Sequence, residues 1–407
     1  MIVGLVIDQM RWDYLYRYND LYSQNGFKRL IKNGFSCDNT LIPYVPTYTA
    51  PGHTCIYTGS VPSIHGIAGN DWYDATTKRN VYCTDDSTVN TIGSSSDEGK
   101  MSPQNLWTTT VGDELRLSTN FKSKVIGIAI KDRAAILPAG HVANAAYWFD
   151  DTNGIWITSS YYENQLPEWV IKENKKLLPD AAMAKDWNTL LPIVKYTQSS
   201  ADNEIYEGRL PEEKTVTFPH RLSEIKKSKY EAFKFTPFAA TYTFDMAKSA
   251  IENEKLGKNN VTDFLAVSIS STDYMGHTFG PNSIEAEDTY LRLDKDIADF
   301  LNYLDATIGK GNYLLFLTAD HGVSHVPGFA EEHKIPGGLY NTKTLSDHLS
   351  KRLEKGFGLK NGFIKIQNNQ VYLDYSQIRN AEKNPEDVEA EIIKFLNEQP
   401  FIDYALA

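Results

Sequence analysis

Unbroken apolar stretches alternate along this chain with longer ones in which apolar residues recur every three or four positions. That rhythm predicts βα units and a parallel sheet covered by helices on both faces. Four stretches carry the reading: residues 2–7 (IVGLVI), 124–130 (KVIGIAI), 264–270 (FLAVSIS) and 313–318 (YLLFLT). Each reads as a strand, the first of them buried on both sides, and each is followed by residues of a different kind. Asp8 follows the first, Lys131, Asp132 and Arg133 the second, Thr272 and Asp273 the third, Asp320 and His321 the fourth. Between the last two, residues 284–304 set Leu293, Ile297, Phe300, Leu301 and Leu304 on one helical stripe, which predicts a crossover joining parallel neighbours.

The rhythm weakens over residues 147–235, which are rich in Trp, Tyr, Lys and Pro. This region reads as an inserted cap over the sheet's edge, with regular structure resuming in a helix at 237–256. The whole of 1–407 is then one α/β domain carrying an insertion. Residues 401–407 (FIDYALA) read as a strand entered without a closing turn, and the first strand begins abruptly, so a C-terminally incomplete domain is expected.

Composition narrows the function classes. With 407 residues, 41% of them hydrophobic, the chain can bury a large core. A formal net charge of −11 without a basic cluster argues against nucleic acid or an anionic membrane as partner. No apolar run approaches the roughly 18 residues of a membrane span. Three cysteines, Cys37, Cys55 and Cys83, are too few for a disulfide framework and lack metal-ligand spacing, although one pair such as Cys37 with Cys83 stays open.

Parallel sheets bind ligands beyond the carboxyl ends of their strands. Here those ends present Asp8, Asp273 with His277, Asp320 with His321, and Lys131 with Arg133. Carboxylates together with imidazoles suit Zn2+. Any single Asp after a strand serves equally well as a helix cap or turn residue; independent capping would not gather all of them at equivalent ends. In residues 46–59 (PTYTAPGHTCIYTG), Thr49 stands before a Pro-containing helix start, where free backbone amides favour a phosphoryl anion. By local logic Thr49 is equally an N-cap, and Thr47 is a rival. His53 and His65 read as packed, hydrogen-bonded histidines, Cys55 as buried and inert; His141 and His220 support no assignment.

Read together, VIDQMRWDYL, PTYTAPGHTCIYTG, HGIAGNDWYD, KDRAAILPAGH, STDYMGH and TADHG, in this order, resemble the alkaline phosphatase superfamily. Within it the likeness is to bacterial phosphate-irrepressible alkaline phosphatases with a threonine nucleophile, relatives of type I phosphodiesterases and nucleotide pyrophosphatases. The resemblance implies an alkaline phosphatase-like α/β fold, a periplasmic or secreted address, and hydrolysis of small-molecule phosphate monoesters. It makes Thr49, not Thr47, the nucleophile, passing through a phosphothreonine intermediate. It implies two Zn2+ ions, one held by Asp8, Thr49, Asp320 and His321, the other by Asp273, His277 and a further histidine. Asn70, Lys131 and Arg133 would contact the phosphoryl oxygens, the last two separating monoesterases from diesterases.

That further histidine lies in the family in a downstream Thr-His-Gly context, which this sequence lacks; its last histidine is His348. The site of Asp273 and His277 is then expected to keep only two protein ligands and to bind metal weakly; His325 and His333 are the lesser alternative, as substitute ligands. Two other readings compete: a phosphodiesterase or nucleotide pyrophosphatase, and an inactive metal-binding fragment.

Overall fold

The computed structural model describes residues 1–360 and 362–407. Seven strands form the main sheet: β1 (Ile2–Ile7), β2 (Thr91–Ile92), β3 (Val125–Ala129), β4 (Ala145–Asp150), β5 (Ile155–Ser159), β6 (Phe264–Ile269) and β7 (Leu314–Thr318). Their order is β2-β5-β4-β3-β6-β1-β7. The five strands from β4 to β7 in that order run parallel, while β5 and β2 are antiparallel additions. The apolar stretches at 2–7, 124–130, 264–270 and 313–318 thus form β1, β3, β6 and β7 within a residue of the expected bounds. β1 lies between the two strands with which it shares the site. Ile7 is in register with Ile269, and Val6 with Thr318, so Asp8, Asp273 and Asp320 leave the sheet at one edge of the layer.

The crossover helix spans Ile284–Leu304 and buries the expected stripe, and the helix expected at 237–256 spans Phe238–Asn253. Inside the region read as an inserted cap, the first strands belong to the main sheet. Tyr147, Trp148, Phe149 and Trp156 are buried on β4 and β5; aromatic density that resembled an insertion is core. Residues 160–235 are mostly irregular, with short helices at Glu168–Asn174, Leu178–Met183 and Lys229–Phe233.

The chain divides into two compact units: residues 1–70 with 82–329, and residues 71–81 with 330–407. The second unit has its own core, Leu345, Leu349, Leu353, Ile378, Val388, Ile392 and Phe395, built by the helices Thr342–Phe357, Tyr375–Asn380 and Pro385–Asn397 over the hairpin Phe363–Gln367/Gln370–Leu373. Residues 401–407 form no strand. Among the described residues no helix is long and apolar enough to cross a membrane. The cysteines are free, so the Cys37–Cys83 pair is not formed: Cys37 is exposed and Cys83 buried.

Candidate active site

Thr49 is the first residue of the Thr49–Thr58 helix; the N-cap is Tyr48, and no side chain caps the turn. The hydroxyl of Thr49 is therefore not a cap. Thr49 is buried, whereas Thr47 is exposed and precedes the helix. Three contacts fix this turn. The Ala50 N–H donates to Asn70 Oδ1 (2.9 Å). His53, fully buried, donates from Nδ1 to the Thr49 carbonyl (2.9 Å), with the Ser268 hydroxyl 2.8 Å from its Nε2. Gly52 lies so close to the Asp320 backbone that a Cβ there would stand 2.4 Å from the Asp320 carbonyl oxygen. His53 is thus the packed, hydrogen-bonded histidine expected, and its Nδ1 is also 3.2 Å from Asp320 Oδ2.

The expected ligands meet next to this turn. One oxygen or nitrogen each from Asp8, Asp320 and His321 lies within 4.8 Å of the others. His321 Nε2 is 3.5 Å from Asp8 Oδ1, 3.7 Å from Asp320 Oδ2 and 3.9 Å from Asp273 Oδ1. Asp273, on the Ser271–Phe279 helix, is joined to His277 (3.2 Å), whose side chain is largely exposed. Lys131 connects the carboxylates to the hydroxyl: its buried Nζ donates to Asp8 Oδ2 (2.8 Å), Asp273 Oδ2 (2.5 Å) and Thr49 Oγ1 (3.2 Å).

Burial, then the neighbouring Asp320 carboxylate, pushes Asp8 up to about 7. Burial would raise Asp320 too, but His53 and His321 hold it well below the ordinary carboxylate range. Asp273 is likewise held low against burial, by Lys131 and His277. Burial works against the Lys131 ammonium, yet Asp8 and Asp273 together keep it above its usual value.

These residues fit a divalent metal. Asp8 Oδ1 is buried without a hydrogen bond, and so is Asp320 Oδ2, since the nearby His53 Nδ1 spends its proton on the Thr49 carbonyl; this is a costly arrangement unless a cation answers them. The His321 Nδ1–H donates to the Gly322 carbonyl (2.9 Å), which turns the Nε2 lone pair toward the carboxylates. Of the two alternative ligands, His325 bonds Asn282 (2.7 Å) and stacks on Phe329, and His333 belongs to the second unit. Neither joins the one three-residue ligand group among the described residues.

Arg133 is held by Tyr82, whose OH accepts from Nη1 (2.9 Å) and donates to Asp132 Oδ1 (2.8 Å). The Lys131 ammonium also rests over the Tyr274 ring, 5.0 Å from its centroid. Tyr82 and Tyr274 had no sequence signal of their own, and neither did Gln9, which bonds both Asp273 and Asp320. Cys55 is half-buried, not sealed, with Sγ 3.3 Å from His65 Nε2. His141 contacts the Thr108 carbonyl, and His220 bridges Glu213 and Glu285.

Comparison with known proteins matches residues 2–405 to the family described as type I phosphodiesterase / nucleotide pyrophosphatase. Three relatives have similar identities. "Calcium-transporting ATPase" of Myroides odoratus is 56% identical over 97% of this chain and 73% of its own length. "Alkaline phosphatase PhoV" of Synechococcus elongatus is 55% identical over 98% and 72%. "Alkaline phosphatase PafA" of Elizabethkingia meningoseptica is 51% identical over 100% and 75%. A crystal structure of wild-type alkaline phosphatase PafA superposes with a TM-score of 0.95 at 52% identity, covering 98% of this chain and 76% of that one. A second structure of it, with a TM-score of 0.94 at 51% identity over 98% and 77%, carries substitutions at one threonine, one asparagine, one lysine and one arginine. The chain belongs to the type I phosphodiesterase / nucleotide pyrophosphatase family, within the alkaline phosphatase superfamily.

Proposed function

We propose that this chain hydrolyses small-molecule phosphate monoesters as a metal-dependent alkaline phosphatase, with Thr49 as the nucleophile. The observation that carries the reading is the meeting of the buried Thr49 hydroxyl, at a helix N-terminus, with Lys131 Nζ at 3.2 Å and the Asp8, Asp273, Asp320 and His321 cluster. Two of the relatives are named alkaline phosphatases. The four residue types replaced in the solved variant recur here, in the same order and nearly the same spacing, as Thr49, Asn70, Lys131 and Arg133.

In this reading Asp8, Asp320, His321 and Thr49 hold one zinc ion, and Asp273 with His277 contribute to a second. When bound, the pair supplies positive charge that favours the Thr49 alkoxide and the departing ester oxygen. The protein's own part is positioning and charge, as a loose phosphoryl transition state requires. Thr49 Oγ1 attacks phosphorus, the bond to the ester oxygen breaks, and the alcohol leaves; water then cleaves the phosphothreonine to release phosphate and restore the hydroxyl. Asn70 spends Oδ1 on the Ala50 N–H, so its Nδ2 end is the one that can donate to a phosphoryl oxygen. Lys131 is close enough to Thr49 to meet any group transferred to it, and Arg133, held by Tyr82, adds a second cation. Both answer the extra negative charge of a monoester.

Rapid-quench labelling with a phosphate monoester tests the assignment. Thr49→Ala abolishes the phosphoenzyme, and Thr47→Ala leaves it intact. Label trapped at Thr47, or full turnover by the Thr49 variant, would sink it.

A further inference from the structure

One residue at the end of β1 holds two of the ligand carboxylates by separate means. The Gln9 side-chain amide donates from Nε2 to Asp273 Oδ1 (2.7 Å), and its backbone N–H donates to Asp320 Oδ1 (3.1 Å). Gln9 is itself buried, 3% exposed. Its backbone is left-handed, with φ of 63°, a conformation that costs a residue with a side chain energy and that glycine adopts freely. The far end of the Gln9 side chain is seated as well. Its Oε1 lies against Gly276, one turn along the helix that carries Asp273 and His277, so closely that a Cβ at 276 would stand 1.9 Å from it. The amide is therefore clamped between the helix backbone and the carboxylate it orients.

We propose that Gln9 is the positioning residue that aligns Asp273 with Asp320, and that it thereby sets the metal affinity of the Asp273 side of the site. The backbone N–H serves Asp320 whatever the side chain is. The side-chain amide serves Asp273 alone, fixing Oδ1 while Oδ2 faces Lys131. Removing the amide frees the carboxylate to rotate without removing any ligand. This role for Gln9 rests on the two-zinc reading above.

The test is a zinc titration of the chain against a chromophoric chelator, which resolves successive binding steps, with urea denaturation in parallel. Gln9→Met keeps the volume and removes the donor; Gly276→Ala keeps Gln9 and displaces its amide. Both variants should weaken one zinc step by about 10- to 100-fold, the range for loss of a partner that orients a ligand, and leave the other step and the urea midpoint unchanged. Unaltered zinc affinities in Gln9→Met would overturn the inference and leave the two-zinc reading standing. Equal weakening of both steps with a fallen urea midpoint would also overturn it, since that is the mark of general loosening. A wild-type chain that takes no zinc at Asp273 would overturn both.

Discussion

The His220 imidazole joins residues far apart in sequence, and its charge can be titrated. Nδ1 is 3.0 Å from Glu213 Oε2 and Nε2 is 3.0 Å from Glu285 Oε1, with the ring buried beside Trp187, Phe218 and Phe279. Only the doubly protonated ring can donate to both carboxylates. Burial opposes that charge, but Glu213 and Glu285 prevail and raise His220 from 6.5 to about 9. The folded chain thus holds the proton more tightly than the unfolded one. The stabilisation is complete below about pH 6.5 and is lost as pH rises through about 9. Each tenfold gain in proton affinity is worth about 1.4 kcal/mol, so the stabilisation amounts to about 3 kcal/mol. The reference is the triple variant His220→Gln, Glu213→Gln and Glu285→Gln, which removes the imidazolium together with both carboxylates it bridges; a smaller change would strand a carboxylate. Urea unfolding of both proteins, followed by fluorescence, should show the stability difference falling by about 3 kcal/mol between about pH 6 and about pH 9.5. A difference that varies by less than about 0.5 kcal/mol over that range refutes the reasoning.

Replacing Lys131 and Arg133 by Ala should lower kcat/KM for an aryl phosphate far more than for its methyl diester, at about 3 kcal/mol for each positioned donor lost; equal losses on both substrates would restore the diesterase reading. Gly52→Ala drives a methyl group into the Asp320 carbonyl, so monoester turnover should fall at least tenfold, and wild-type kcat/KM would show that the helix can give way there. Removing metal with a chelator should abolish turnover and lower stability by about 4 kcal/mol relative to a zinc concentration about 1,000-fold above Kd, both regained on adding zinc. Turnover that survives chelation contradicts the metal assignment.

The strands that end at the candidate ligands were legible because a strand covered on both faces is almost wholly apolar, as β1, β3 and β6 are. β7, at the sheet's edge, is apolar without being fully covered, and the switch from Ile7 to Asp8 or from Thr318 to Asp320 marks where each strand leaves the sheet. Thr49 was separable from Thr47 only by the family register; burial and the helix start now separate them physically. Aromatic β4 and β5 were read into the insertion because the βα rhythm weakens where they begin; Trp148 and Trp156 suit strands well, but composition does not reveal which face is covered. The second unit was invisible because it joins residues 71–81 to a segment that begins about 250 residues later, and no local pattern encodes such a pairing. Gln9 escaped for a different reason: its role depends on a left-handed backbone and on a glycine in another element.

The contact between Gly52 and Asp320 makes the reactive position a socket shaped by main chain. The backbone of the helix that begins at Thr49 meets the backbone of the candidate ligand Asp320 directly, with no side chain as spacer, so their approach is limited by the Gly52 Cα and the Asp320 carbonyl oxygen. An exchange of the residue at position 49 leaves that main-chain contact in place. Thr49→Ser keeps the hydroxyl that meets Lys131 and removes only a methyl group, and the same main-chain contact offers an engineer a seat into which other nucleophiles can be fitted.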